Sequence, residues 1–216
     1  VAALYALTQR GIDSRQSSGV IQTIKPLLQD RSLLAFVMRA IGDLGMDQLT
    51  RGEPGPAPLD WLRMGLKSSD PRTRLEAIIA SARQNNVETG EAIAASLGYA
   101  DSTIAHTAFR ALAMLRDSQS CFAILDTTQS HTEQRKGASF ALMRMHRSDV
   151  VEGLISRLND PSKSLAHPSI LSTLCRLYHR EAPWNGDSWG TRPDTRGPYY
   201  QLEPWGQSDT ILEAIK

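Results

Sequence analysis

The segment Trp189–Tyr200, WGTRPDTRGPYY, holds the chain's densest group of side chains able to bind a ligand. Arg192 and Arg196 stand on either side of Asp194, and guanidinium groups hold carboxylates through paired hydrogen bonds. Aromatic rings surround these charges and offer flat faces for stacking on a sugar ring or a planar cofactor. The pattern predicts a docking or ligand surface formed by Trp184, Trp189, Arg192, Asp194, Arg196, Tyr199 and Tyr200.

A structural interpretation of the same stretch stays open. The range Pro183–Gly206 contains four prolines, four glycines and three tryptophans, which is incompatible with a continuous helix and too aromatic for a flexible linker. A helical array ends on an open apolar face that something must cover. Five aromatic residues could form that cap: Trp184, Trp189, Tyr199, Tyr200 and Trp205. Ion pairs among the two arginines and the aspartate would then only make the loop rigid.

A second candidate surface is a basic ridge of arginines near the ends of successive predicted helices. Stacking would align them along one edge, where they could meet an acidic partner. The alternative is that these cations simply stabilise helix C-termini, an effect of roughly 0.3–1 kcal/mol each. The members of the ridge are Arg144, Arg147, Arg176 and Arg180.

The sequence offers no motif for a known reaction. It contains no phosphate-binding glycine loop, no His-Glu-x-x-His, no Cys-x-x-Cys and no Gly-x-Ser-x-Gly. His106 lies beside apolar positions and is expected to be an ordinary helix histidine, while Cys121 and Cys175 are expected to be small core residues. We therefore expect a non-enzymatic segment with no catalytic residue, no cofactor site and no metal ligand.

The elements that must position these residues follow a repeat. Turns with Asp or Ser recur at intervals of 40, 31, 29 and 30 residues, and such self-similarity indicates a repeat architecture. An Asp or Ser at the turn can accept a hydrogen bond from the first free N–H groups of the next helix. The turn residues are Asp30, Asp70, Asp101, Ser130 and Asp160.

Apolar residues between these turns follow the 3.6-residue period of amphipathic helices. One such stripe is Ala138, Ala141, Leu142 and Met145. The last predicted helix carries Ile170, Leu171, Leu174, Cys175 and Leu177. Pro168 should kink or delay this helix, and no alternating strand pattern competes anywhere. We expect an all-α fold with helical repeats over 1–182, an irregular capping or docking loop over 183–206, and the start of a truncated helix over 207–216.

Two ranges, Leu66–Ala82 and Leu154–Leu174, resemble short HEAT repeats, whose pattern is a Leu-rich helix, an Asp-Pro turn and then an Ala-rich helix. Ser130 in place of Asp, and Pro168, depart from that pattern. The resemblance implies an α-α superhelix, that is, a HEAT/armadillo-like solenoid with an aromatic, Pro/Gly-rich C-terminal tail. It also implies a scaffold that binds protein partners or neighbouring domains of its own chain.

A further range, Leu174–Trp205, resembles a segment of the membrane-bound dehydrogenase and haem-binding proteins of the Pirellula–Verrucomicrobium type. In that family, HEAT repeats connect a sugar-dehydrogenase-like domain to a c-type haem domain. The resemblance implies a spacer in an exported, periplasmic or extracytoplasmic protein, and no catalytic residue has a matching position here. The alternative is a ligand-binding module that uses the aromatic and arginine tail to contact polysaccharide or haem.

Composition narrows the classes of partner. The chain has 41% hydrophobic residues, which is typical of a folded domain, and a net charge of +1. This charge provides no general attraction to nucleic acid, and no apolar run approaches the roughly 18 residues of a membrane span. The chain opens with VAALYALTQRG and ends with SDTILEAIK, so we expect a segment of a longer protein, whose location the segment itself does not indicate.

Overall fold

The computed structural model describes residues 1–51, 57–182 and 201–216. Within these ranges the chain forms twelve α-helices, three short 3-10 helices and one two-stranded sheet. The predicted all-α class is confirmed, because the described residues are mostly helical and their one sheet consists of two short strands. The described chain divides into two units, Val1–Ala141 and Leu142–Lys216.

The α-helices are α1 Ala2–Asp13, α2 Ser17–Ile24, α3 Leu34–Thr50, α4 Leu59–Leu66, α5 Pro71–Arg83, α6 Gly90–Ala94, α7 Ser102–Leu115, α8 Ser118–Asp126, α9 Thr132–Leu142, α10 Ser148–Leu158, α11 His167–Leu177 and α12 Ser208–Ile215. The 3-10 helices span Lys25–Gln29, Val87–Thr89 and Pro161–Ala166. The two strands, β1 His179–Glu181 and β2 Leu202–Pro204, pair antiparallel.

In the first unit, helices two apart in the chain pack side by side, so that α3 lies between α1 and α5, and α5 lies between α3 and α7. Helices α3 and α5 run parallel to each other. Phe36 meets Arg72 near the start of both helices, with the guanidinium 4.4 Å from the ring centre, and Asp43 pairs with Arg83 further along both. Intervening helices join this row from the side, as α4 does against α5.

Gly42 sets how closely α3 and α5 approach. A Cβ atom placed on Gly42 would lie 3.0 Å from the Cα atom of Ala80 on α5. The backbone of one helix therefore rests directly against the other, and a larger side chain at this position would force the helices apart. Around this contact Val37, Met38, Ile41 and Ile78 are fully buried and belong to the core of the unit.

Aspartate caps start several of these helices, as the repeated turns predicted. The carboxylate of Asp70 accepts the backbone N–H of Thr73 at 2.8 Å and that of Asp101 accepts the N–H of Thr103 at 2.8 Å. Asp117 caps α8 in the same way. Each cap satisfies an N–H group that the first helical turn leaves without a partner.

Two of the predicted turn residues behave differently. Asp30 accepts hydrogen bonds from the backbone N–H and the hydroxyl of Ser32, yet α3 begins only at Leu34, so Asp30 fixes a local turn. At the fourth turn, Ser130 is buried and the side-chain oxygen of Gln134 accepts the N–H of His131 at 3.2 Å. Gln134 thus forms one half of a capping box, in which a side chain of the first turn accepts the N–H of the residue before the helix.

The second unit contains α10, α11, the β1–β2 ribbon and α12. As predicted, Pro168 delays its helix: Asp160 caps a 3-10 helix, and α11 starts at His167 with Pro168 in its first turn. Ile170, Leu174 and Leu177 are fully buried. The expectation that Cys175 is a core residue is wrong, because it is exposed, one residue and thus about 100° round the helix from Leu174.

Candidate functional site

Trp205 closes the end of α11 in the second unit. Its indole Nε1–H donates a hydrogen bond of 2.6 Å to the carbonyl oxygen of Leu177, the last residue of that helix. Its ring meets the imidazole of His146 edge to face, with the two ring centres 5.3 Å apart. The last carbonyl groups of a helix have no intrahelical partner, and the indole N–H provides a hydrogen-bond donor to one of them.

The neighbouring residues of both segments add to this closure. The hydroxyl of Ser208 donates to the carbonyl oxygen of Tyr178 at 2.7 Å and accepts the backbone N–H of Trp205 at 2.9 Å. Nε2 of His146 lies 2.8 Å from the carbonyl oxygen of His179. We call these five contacts, with Trp205 at their centre, the C-terminal clasp.

The ribbon extends the clasp along the chain. His179, Arg180 and Glu181 face Pro204, Glu203 and Leu202 in antiparallel register. The N–H of Ala182 then donates to the carbonyl oxygen of Gln201 at 2.8 Å. The sequence predicts Arg180 near the end of a helix, but Arg180 lies in β1, since α11 stops at Leu177.

The predicted docking or ligand surface lies outside the described residues, because all of its members fall within 183–200. The described chain shows only that its flanking residues, Ala182 and Gln201, are hydrogen-bonded to each other. The residues concerned are Trp184, Trp189, Arg192, Asp194, Arg196, Tyr199 and Tyr200.

The predicted basic ridge falls in the second unit, where Arg147, Arg176 and Arg180 each contact a carboxylate. Arg147 contacts Asp149 through two hydrogen bonds. Arg176 lies 3.2 Å from Glu181, and Arg180 lies 2.7 Å from Glu203 across the ribbon. Arg144, in the turn after α9, is exposed. These ion pairs reduce the local excess of positive charge that an acidic partner would meet.

The two cysteines occupy opposite environments. Cys121 is fully buried on α8, and burial, helped by the nearby carboxylate of Asp117, raises the pKa of its thiol far above the ordinary range. Cys175 is exposed on α11. Among residues 1–51, 57–182 and 201–216, no group of three or more His, Cys, Asp and Glu side chains is placed to hold a metal ion.

A charged cluster on α3 and α5 was not recognised in the sequence. Glu76 is half-buried, and desolvation raises the pKa of its carboxyl group, an effect that the positive charges of Arg39 and Arg72 partly oppose. Asp43, which pairs with Arg83, lies in the same cluster. The signal in the sequence was weak because these residues meet only after α3 and α5 pack.

A cleft of about 390 Å³ opens between α7, α9 and the turn that follows α6 in the first unit. His106 and Phe109 of α7 line one wall, Phe140 of α9 lines another, and Tyr99 stands at the turn. The expectation that His106 is an ordinary helix histidine fits its exposed position, but its place on an aromatic wall was missed. No local pattern connects these rings, which come from two helices about 30 residues apart.

Comparison of the sequence with protein-family models finds no match, and comparison with curated proteins finds none either. The fold and the local chemistry are therefore the observations on which a function rests. In the described part of the chain, no helix combines the length and apolar character required to cross a membrane.

Proposed function

We propose that this chain is a HEAT-like α-α solenoid segment and acts as a non-catalytic scaffold for a protein partner or for neighbouring domains of its own chain. The observation that supports it most is the parallel packing of α3 on α5. Phe36 meets Arg72, Gly42 meets Ala80 and Asp43 meets Arg83, in the same order along both helices. Parallel packing of helices two apart is expected of equivalent helices in successive repeats.

The aspartate caps add support, because Asp70 and Asp101 begin α5 and α7, two helices apart in the chain, and each accepts a backbone N–H of the first helical turn. Large, regularly built helical surfaces are what repeat scaffolds offer to partners. In this proposal the C-terminal clasp is the cap of the last helix pair. Trp205 and Ser208 support that assignment, since they supply partners to the carbonyl groups of Leu177 and Tyr178.

The resemblance of Leu174–Trp205 to exported bacterial dehydrogenase and haem-binding proteins supports a narrower version of the same proposal. In that version the segment is a spacer between a dehydrogenase-like domain and a c-type haem domain. The gene that encodes the segment should then also encode a Cys-x-x-Cys-His motif downstream. A complete gene with neither domain would contradict the spacer version and leave the general scaffold proposal in place.

Site-specific photo-cross-linking in cells of the source organism tests the scaffold proposal. A benzophenone amino acid replaces Tyr5 on α1 or Arg110 on α7, both of which are exposed. The control position is Met64 on α4, one of the helices that pack against the side of the α1, α3, α5 and α7 row. We expect recurrent cross-links from Tyr5 and Arg110 to one protein, or to another domain of the same chain, and fewer from Met64. Absence of recurrent cross-links from all positions would contradict a scaffold role.

A further inference from the structure

We propose that the cleft between α7, α9 and the turn after α6 binds an aromatic side chain on an extended segment of a partner protein. This inference rests on the proposed scaffold function and names the contact that such a partner makes. The cleft, at about 390 Å³, falls at the lower end of the range of about 300–1,000 Å³ that ligand pockets occupy. A cleft of that size has room for one large side chain together with the neighbouring backbone of a peptide.

Packing of α9 on the turn gives the cleft a fixed floor. A Cβ atom on Gly137 would lie 3.0 Å from Cβ of Leu97 and 3.1 Å from its carbonyl oxygen, so the two segments touch at backbone distance. Leu97 and Gly137 are both buried. Any larger residue at Gly137 would push α9 off the turn and change the width of the cleft.

The walls of the cleft are aromatic rings in a tilted array. His106 and Phe109 meet at 4.7 Å between ring centres with an interplanar angle of 68°, and Phe109 and Phe140 meet at 5.6 Å and 60°. Edge-to-face and tilted arrangements are favourable for aromatic pairs. An incoming ring can continue the array, whereas a branched aliphatic side chain would gain burial without these oriented contacts.

Tyr99 is held in place from outside the cleft. The guanidinium group of Arg74 lies 4.7 Å from the centre of the Tyr99 ring, and the same group donates two hydrogen bonds, of 3.1 and 2.8 Å, to the carbonyl oxygen of Ser68. These hydrogen bonds anchor the cation against the ring. The wall formed by Tyr99 is therefore prepared before a ligand arrives, which lowers the entropy cost of binding.

Charges at the rim favour a neutral occupant. Lys136 and Glu133, both exposed on α9, lie 3.9 Å apart and carry opposite charges. Their charges cancel, so the rim selects neither an acidic nor a basic ligand. A neutral aromatic side chain on a peptide fits both the walls and the rim, and the exposed polar rim leaves room for the peptide backbone to remain in water.

Peptide titration of the purified chain, followed by backbone-amide NMR shifts of Gly98 and Gly137, tests the proposal. The probe is the acetylated and amidated peptide Gly-Ser-Trp-Gly-Ser, compared with the same peptide carrying Leu in place of Trp and with free indole. We expect saturable shifts of both glycine amides with the Trp peptide and much weaker ones with the Leu peptide. Equal shifts with both peptides, or none with either, would overturn the proposal.

Variants locate the binding. Ala105→Leu fills the cleft without removing a contact, since Ala105 lines it and is half-buried, and should abolish the shifts. Phe140→Leu keeps an apolar side chain but removes one ring and should weaken binding roughly two- to tenfold. Met114→Ala, at an exposed position of α7, should leave the shifts unchanged. Binding that survives Ala105→Leu in a folded protein would overturn the assignment.

Free indole distinguishes an aromatic side chain on a peptide from a free aromatic small molecule. Indole that binds as tightly as the Trp peptide would overturn the commitment to a protein segment, because the backbone would then contribute nothing. Failure of the peptide titration while cross-links persist at Tyr5 and Arg110 would refute the cleft and spare the scaffold. Absence of cross-links with intact peptide binding would refute the scaffold instead.

Discussion

The indole nitrogen of Trp205 lies 2.6 Å from the carbonyl oxygen of Leu177, so the chain's C-terminal segment closes the end of the last long helix. His146 packs against the same ring, and Ser208 closes the next carbonyl group at Tyr178. The clasp joins three parts of the second unit that are far apart in sequence. We expect it to contribute to the stability of that unit.

Replacing Trp205 with Phe tests the clasp. Phenylalanine keeps a ring against His146 but cannot donate to the Leu177 carbonyl oxygen, so we expect the free energy of unfolding to fall by about 1 kcal/mol. Urea denaturation followed by circular dichroism measures the change. Leu202→Ala, at an exposed position of β2, is the control, and equal stability of Trp205→Phe and the parent would contradict the clasp.

Substitutions of Asp70 test the contribution of the aspartate helix caps to stability. The hydroxyl and the backbone N–H of Thr73 both donate to its carboxylate, and these hydrogen bonds lower the pKa of Asp70. Removal of such a cap destabilises by about 0.5–2 kcal/mol, so Asp70→Ala should lower the free energy of unfolding by that amount at neutral pH. Asp70→Asn should keep most of the stability, because asparagine also caps helices.

The lowered pKa of Asp70 also predicts a pH dependence. Since the carboxylate is stabilised in the folded state, its contribution is present above the unfolded pKa of about 3.9 and is lost as pH falls through the lower folded value. Unfolding measured from pH 6 to pH 2 should show a smaller acid-dependent loss in Asp70→Asn than in the parent protein. Identical acid profiles would contradict this assignment.

The contribution of Glu76 to stability should depend on pH in the opposite direction to that of Asp70. Desolvation raises the pKa of its carboxyl group, so its ionised form is less favourable in the folded protein, and stability from this group falls as pH rises through the folded pKa. Glu76→Gln should therefore raise the free energy of unfolding at pH 7, by less than about 1 kcal/mol because the group is half-exposed. A loss of stability would show instead that pairing with Arg39 and Arg72 outweighs desolvation.

Thiol labelling should separate the two cysteines. Cys175 is exposed, whereas Cys121 is fully buried with a raised pKa, and the thiolate is the reactive form. A chromogenic disulfide reagent at pH 8 should modify one thiol per native chain quickly and the second only after denaturation. Cys175→Ser should remove the fast phase, and a fast phase that persists in that variant would contradict the placement of Cys121.

The sequence predicted those parts of the fold that local chemistry determines. Helical periodicity placed Ile170, Leu174 and Leu177 in the core, and the Asp-Pro turn at Asp70 marked the start of a helix. The delay of α11 by Pro168 also followed from one residue's covalent geometry. In each case the determining atoms lie within a few residues of one another.

Features made by distant residues were not predictable in the same way. The strands β1 and β2 have three residues each and pair across about 20 residues of chain, too short for an alternating pattern to show. The apolar pattern predicts both Leu174 and Cys175 on the buried face of α11, but only Leu174 of these two residues is buried. The aromatic wall of the cleft depends on the packing of Phe109 against Phe140, from separate helices.

Hydrogen exchange of a Gly42→Leu variant, read by mass spectrometry, tests the repeat architecture most directly. A Cβ atom at Gly42 would press on the backbone of Ala80, so leucine must disturb the α3–α5 contact. Gly19→Leu is the matched control, because a Cβ atom placed there meets no atom within 4 Å beyond the adjacent residues and backbone of its own helix. In a repeat array each helix pair depends on its neighbours; we therefore predict loss of protection in α3 and α5, a smaller loss in α7, and the least in α9. Equal loss across all helices of the first unit would contradict the account, because it would show a single cooperative core.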